Sequence, residues 1–259
     1  MDITDPASVE AAIVRYKPWA IINASGYVRV DDAEQEAERC MRENTLGPTV
    51  LALAAIRHAV RFLTFSSDLV FDGSLGRPYV ESDRVAPLNA YGRSKAEAER
   101  RVLDSDPQAL VVRTSSFFGP WDQHNFVTQA LAALGEGRPF TAAGDMTVSP
   151  TYVPDLVNAC LDLLIDKESG VWHLTNGEAM SWAELARRAC DAAGIDASRL
   201  EVRPAAELGM TAPRPVNSAL SSERGLILPS FADALARYLG EREVGAKRGG
   251  QEDAAHYAS

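Results

Sequence analysis

Three short apolar runs, spaced by helix-patterned sequence, constrain this chain most. Trp19-Ala20-Ile21-Ile22-Asn23, Val60-Arg61-Phe62-Leu63-Thr64-Phe65 and Leu110-Val111-Val112-Arg113 are too short for helices and too continuously apolar for strands with one wet face. Such runs read as strands of a parallel sheet buried on both faces. Between them the pattern predicts helices. One starts at Asp5-Pro6 and covers 7–14, with Pro6 in the first turn. Others cover 32–43, where Ala33, Ala37, Cys40 and Met41 form one stripe, then 45–58, 91–103 and 126–134. Strand and helix in alternation imply a parallel sheet with right-handed crossovers, an α/β fold.

Beyond Gly144 the pattern loosens. A helix over 156–165, a short strand at 171–174 and a late helix over 231–239 are expected. Ser181-Trp182-Ala183-Glu184 reads as a capping box opening a helix over 182–193. From 241 to 259 charge and glycine dominate and apolar residues are sparse, which predicts a disordered tail.

The charge balance excludes some functions. A formal charge of −10 over 259 residues argues against nucleic acid, whose phosphates require Lys and Arg, and against an anionic membrane surface. No apolar run approaches the roughly 18–20 residues of a membrane span. The start Met1-Asp2-Ile3-Thr4-Asp5 is acidic where a secretory leader carries basic residues, so a cytoplasmic location is expected. The three cysteines, Cys40, Cys160 and Cys190, have no metal-ligand spacing and read as reduced, buried thiols, and the four histidines are scattered, so no metal site is expected.

Two segments carry chemistry. Phe65-Ser66-Ser67-Asp68 places hydroxyls at the carboxyl end of the second run, where open α/β sheets bind their ligands. Tyr91-Gly92-Arg93-Ser94-Lys95 places a phenol and an ammonium four residues apart, on one helix face. A tyrosine with its ordinary pKa of about 10 is a sluggish acid at neutral pH, and a neighbouring ammonium lowers it. The pair is thus the hardware of a tyrosine general acid.

These residues resemble a family, the extended short-chain dehydrogenase/reductases, and within it the dTDP-4-dehydrorhamnose reductases. The resemblance is carried by Asp2-Ile3-Thr4-Asp5-Pro6, Ile22-Asn23-Ala24-Ser25-Gly26-Tyr27, Val30-Asp31-Asp32-Ala33-Glu34 and Glu43-Asn44. It continues in Ser66-Ser67-Asp68-Leu69-Val70-Phe71-Asp72-Gly73, Pro87-Leu88-Asn89-Ala90-Tyr91-Gly92-Arg93-Ser94-Lys95 and Arg113-Thr114-Ser115. It implies a Rossmann-like domain over 1–150, a mainly substrate-binding lobe over 151–240, and reduction of a nucleotide-linked 4-keto-deoxysugar by NADPH or NADH. Tyr91 would protonate the carbonyl oxygen, Lys95 would support it and hold the nicotinamide ribose, and Ser67 would donate a hydrogen bond to the same oxygen. Asp68, Arg113 and Asn125 would contact the substrate. Asp2, Ile3, Ala24, Ser25, Gly26 and Tyr27, with Tyr91 and Lys95, would line the cofactor.

The chain departs from the family in two places. The family's Gly-x-x-Gly-x-x-Gly turn, which sets a helix N-terminus against the cofactor pyrophosphate, has no counterpart, and Met1 falls directly at the segment that follows it. The resemblance therefore implies an incomplete Rossmann-like domain whose strand 19–23 is an exposed edge, prone to aggregation or to pairing in a homodimer. Ser116 stands where relatives carry an aromatic that touches the sugar. Other readings stay open. The fold also serves as a non-catalytic regulatory subunit of methionine adenosyltransferase, the chain could be an inactive fragment, and epimerases and dehydratases of the superfamily share the Tyr and Lys. Ser66 and Ser67 could cap a turn, Asp68 and Asp72 could be turn residues, and Arg113 and Asn125 could tie loops together.

Overall fold

The computed structural model describes residues 1–225 and 228–242. Helix α1 (Pro6–Tyr16) starts at Asp5, whose carboxylate accepts the Ala7 and Ser8 amides, and leads to strand β1 (Ala20–Asn23). Next come α2 (Ala37–Met41), α3 (Gly47–His58), β2 (Arg61–Phe65), α4 (Ala90–Ser105) and β3 (Leu110–Arg113). After β4 (Phe117–Phe118) follow α5 (Phe126–Gly135), β5 (Phe140–Ala143), β6 (Thr147–Val148), β7 (Thr151–Tyr152) and α6 (Val153–Ile165). Strands β8 (Gly170–His173) and β9 (Met180–Ser181), helix α7 (Trp182–Ala193), β10 (Leu200–Arg203) and helical residues 231–242 complete it.

The expected parallel sheet is present, with order β1-β2-β3-β8. Ile21 pairs with Phe62, Thr64 with Val111, and Val112 with Trp172. Side chains alternate across a strand. Phe62 and Val111 therefore join Val9, Ile13, Leu51 and Val102 from α1, α3 and α4 on one face. Leu63, Leu110 and Val112 join Leu156, Cys160 and Leu164 of α6 on the other. Full burial of each such side chain stabilises the fold by roughly 1.5–3 kcal/mol. Strand β1 forms one edge, and no strand among the described residues pairs with its outer side. Trp19 and Ile22 there are 59% and 42% exposed.

A second core, with Phe118, Leu131, Tyr152, Leu185, Phe231 and Tyr238, joins α5, α7 and helix 231–242 into a lobe beside the sheet. Strands β5 and β10 pair in parallel within it, so part of the segment before 150 belongs to this lobe. The lobe and the sheet share a crevice at the carboxyl ends of the strands.

Two departures from expectation matter. The predicted break between helices 32–43 and 45–58 is a π turn over Arg42–Leu46, which carries α2 into α3. The disordered tail expected from 241 falls almost wholly outside the described residues, but Glu241 and Arg242 continue helix 231–242.

Candidate active site

Helix α4 presents the two key side chains. The Asn89 side chain caps it, accepting the Gly92 amide at 2.7 Å and donating to the Pro213 carbonyl at 2.9 Å. Its first amide, on Ala90, donates to Glu34 at 2.6 Å. Gly92 lets the helix lie against the turn after β2, because a Cβ there would stand 2.2 Å from the Leu69 carbonyl oxygen. Tyr91 and Lys95 consequently reach the end of β2, with Lys95 Nζ donating to the Phe65 carbonyl at 3.2 Å.

The π turn holds the other wall. Asn44, 1% exposed, accepts the Tyr27 amide at 2.8 Å and donates to the Tyr27 carbonyl at 3.0 Å and to Ser94 Oγ at 3.0 Å. One side chain therefore pins the loop after β1 to α4, a placement in keeping with the frequency of π bulges at functional sites. Gly26, at φ +150°, completes this wall, and a Cβ there would lie 2.5 Å from Asn44 Oδ1 and 3.9 Å from Lys95 Nζ.

Ser67 and Asp68 join Tyr91 and Lys95, as expected. The Ser67 hydroxyl donates to Asp68 Oδ1 at 2.9 Å and accepts the Leu69 amide at 3.1 Å. It thus also caps the short turn Asp68–Val70. Asp68 Oδ2 receives Ser115 Oγ at 2.8 Å and Ser218 Oγ at 2.6 Å. Burial pushes the Asp68 carboxyl above its usual range despite these three hydroxyl donors.

The electrostatics of Tyr91 differ from expectation. Its phenol is pushed above its ordinary value, first by burial and then by the Asp68 charge. Lys95 Nζ lies 5.8 Å from the ring centre and is itself pushed down to about 8 by burial. A desolvated ammonium at that range does not offset the removal of water from the phenolate. Tyr91 is therefore held firmly protonated, the form a proton donor needs.

A cavity of about 370 Å³ opens beside this group, lined by Asp68, Ser115, Ser116, Phe126, Trp182, Met210, Arg214 and Ser218 among others. Arg214 is the one cationic side chain among the described residues that line it. It is held by Asp31, whose carboxyl its guanidinium keeps down at about 2. Trp182 and Phe126 meet edge to face, with ring centres 4.6 Å apart, and supply aromatic surface from helix starts although Ser116 carries none. A larger open cleft of about 720 Å³, bounded by Gln123, Thr128, Arg138 and Tyr238, contains none of the residues singled out from the sequence.

Several expected site residues have other work. All three nitrogens of Arg113 are engaged within the fold, with Glu99 at 2.7 and 2.8 Å and the Glu81 carbonyl at 3.3 Å, and the residue is 4% exposed. Asn125 caps α5, accepting the Thr128 amide and donating to Asp122 and Gly119 carbonyls. Both tie elements of the fold together. Ile3 packs its side chain under Gly47 of α3, and Asp2 is exposed and hydrogen-bonded to Thr4. Tyr27 is buried, with the Arg29 and Arg39 guanidiniums each 5.5 Å from its ring centre. Ala24 and Ser25 lie exposed at the end of β1 beside Gly26.

Sequence reasoning missed Ser115, Ser218, Arg214 and Trp182 as site residues. Ser115 closes the segment Arg113-Thr114-Ser115, but Ser218 meets Asp68 from 150 residues away and carries no periodic signal.

A model of the family described as the RmlD substrate binding domain matches residues 1–243. The chain is similar to the dTDP-4-dehydrorhamnose reductase of Mycobacterium tuberculosis, with 39% identity over 229 residues covering 86% of this chain and 74% of that protein. It is 30% identical over 246 residues to the spore coat polysaccharide biosynthesis protein SpsK of Bacillus subtilis, covering 93% and 86%. Among solved structures, the dTDP-4-dehydrorhamnose reductase of Bacillus anthracis in complex with NADP superimposes with a TM-score of 0.88 at 30% identity, covering 93% of this chain and 87% of that one.

Proposed function

From the premise that the chain belongs to the RmlD substrate binding domain family, we propose that it reduces the keto group of a nucleotide-linked 4-keto-deoxysugar with NADPH or NADH. The observation that carries this reading is the convergence of a protonated Tyr91, Ser67 and the Lys95 ammonium at the end of β2, beside a cavity in which Arg214 is the one cation among the described lining residues.

The residues present fit the nicotinamide-ribose end of such a cofactor. Lys95 Nζ donates to one carbonyl and has hydrogens to spare. Ser66 Oγ is buried with no partner at the same strand end. The bound cofactor supplies a hydride. Lys95 would hold the ribose hydroxyls, and Ser67 would turn its hydroxyl to the substrate oxygen. Tyr91 Oη would give that oxygen its proton as negative charge develops. Arg214 would meet the diphosphate of the substrate, since a guanidinium presents a fork of donors to phosphate oxygens.

We assign residues 1–150 mainly to the cofactor side and 151–240 mainly to the substrate lobe, and place the protein in the cytoplasm. The open β1 edge supports a homodimer in which two such edges pair about a two-fold axis. Sedimentation of the purified chain as a monomer would remove that part.

Calorimetric titration with NADPH and then NADH, followed by NAD(P)H oxidation with a dTDP-linked 4-keto-6-deoxysugar, tests the activity. Saturable binding and turnover are expected. Sugar-nucleotide binding with no cofactor binding would favour a regulatory subunit, and binding of neither an inactive fragment.

A further inference from the structure

The loop from Met210 to Ser218 brings Met210, Arg214 and Ser218 to the cavity. Apart from an isolated bridge between Thr147 and Asn217, it contains no helix or strand to hold it in place. Near Tyr91 it is held by polar contacts to two other segments. Asp31, in the turn after β1, accepts the Ala212 amide and grips Arg214. Asn89, directly before α4, donates from Nδ2 to the Pro213 carbonyl at 2.9 Å. Glu34, in the same turn as Asp31, accepts the Ala90 amide at 2.6 Å and closes the triangle. Loop, turn and the start of α4 are thus joined pairwise, within two residues of Tyr91.

Asn89 is 0% exposed, so both ends of its amide need partners inside the protein. Its Oδ1 caps α4 by accepting the Gly92 amide at 2.7 Å. Ser or Asp would cap about as well. Asn alone of these pairs the capping oxygen with an N–H donor on a separate atom. That donor falls on a main-chain carbonyl, so it fixes the path of the loop whatever side chains the loop carries.

We propose that Asn89 is a positioning residue for sugar-nucleotide binding, holding the loop that carries Arg214 in register with the helix that carries Tyr91. This role rests on the reductase reading of the site, in which Arg214 meets the substrate diphosphate and Tyr91 faces the keto group. The span between those two groups must then match the span of the substrate. Asp31 orients the guanidinium from the turn, whereas Asn89 links the loop directly to α4. Without that link Arg214 keeps its charge and its pairing with Asp31 but loses its register against Tyr91. Affinity for the sugar nucleotide falls, and the groups around Tyr91 stay as they are.

The test compares the full wild-type chain with Asn89→Ser, which keeps a capping oxygen and removes the amide donor, and with Asn89→Asp, which keeps the cap and sets a carboxylate against the Pro213 carbonyl. Both should fold, since Ser and Asp rank with Asn as helix caps. The readouts are calorimetric titration with dTDP and steady-state kinetics with NADPH and a dTDP-linked 4-keto-6-deoxysugar. Asn89→Ser should weaken dTDP binding and raise the sugar-nucleotide KM about two- to tenfold, the effect of one hydrogen bond between neutral groups. Asn89→Asp should do so more strongly. NADPH affinity and kcat at saturating sugar nucleotide should stay close to wild type, a split that a weakened helix would not produce. Adding Asn89→Ser to Arg214→Gln should leave the dTDP Kd of Arg214→Gln alone unchanged, because Asn89 acts through Arg214. Wild-type dTDP affinity in both Asn89 variants, or effects that simply add in the double variant, would overturn the positioning role and leave the reductase reading intact. A wild type that binds neither dTDP nor NADPH would overturn both.

Discussion

Asp31 grips Arg214 in a two-pronged ion pair, Oδ1 to Nη1 and Oδ2 to Nη2 both at 2.8 Å, across 183 residues of sequence. Asp31 also accepts the Ala212 amide at 2.8 Å, so the pair fixes the loop that roofs the cavity. The Asp31 carboxyl is depressed to about 2, so its contribution is fully present above the ordinary carboxylate range and is lost only as pH falls toward 2. Replacing Arg214 by Gln should raise KM for the dTDP-sugar about tenfold or more, the loss of a charged hydrogen bond worth roughly 1.5–3 kcal/mol. Steady-state kinetics and NADPH calorimetry would check this, with cofactor affinity unchanged.

Tyr91→Phe deletes the donor and little else. The expected result is a kcat lower by about 10²–10⁴-fold, the range for a positioned acid, with NADPH affinity and melting temperature close to wild type. A variant that keeps full turnover would show that another group protonates the substrate.

Lys95 ties stability to pH in an unusual direction. Its folded pKa of about 8 lies below the ordinary 10.5, so the unfolded chain binds more protons between those values and stability rises with pH across that window. Below about 8 both states are protonated and the full cost of burying the ammonium is felt. Lys95→Met should therefore melt higher than wild type at pH 7, by about 2–4 °C per kcal/mol recovered, while turnover is lost. Thermal melts at pH 7 and pH 10 should show the gap narrowing at the higher pH.

Arg113 and Glu99, 4% and 5% exposed, form a buried pair. Arg113→Leu leaves a buried carboxylate without its partner and should cost about 3–5 kcal/mol in denaturant unfolding. Replacing both residues by apolar ones should recover most of that. An unchanged substrate KM in the double variant would show that Arg113 serves as a tie, and a raised KM would show that it also meets substrate.

Much of this was legible in the sequence because it is local. The runs at 20–23, 61–65 and 110–113 declare themselves by continuous apolarity, and Tyr91 and Lys95 by helical spacing. The Ser67-Asp68 segment is readable because it ends a strand. What was hidden depends on tertiary proximity. Ser218 and Arg214 come from a loop with no periodic pattern and matter only because the chain returns them to the crevice. The π turn was hidden for another reason, since one inserted residue leaves the apolar stripes on either side intact and looks like the gap between two helices. The ion pair of Arg113 with Glu99 was hidden because a cation at a strand end suits a ligand and a buried carboxylate equally well.

The contact between Gly92 and the Leu69 carbonyl has a bearing on how such a protein can change. The turn carrying Ser67 and Asp68 and the helix carrying Tyr91 and Lys95 lie close together where Gly92 has no side chain. The spacing of acid and hydroxyl is therefore insulated from the surrounding loops. Ser116, Trp182 and Arg214 stand on segments outside that contact, free to drift toward new sugars while the reacting groups keep their distances. Conservatism of chemistry and latitude of substrate are thus assigned to separate parts of one crevice, and the boundary between them is a hydrogen atom.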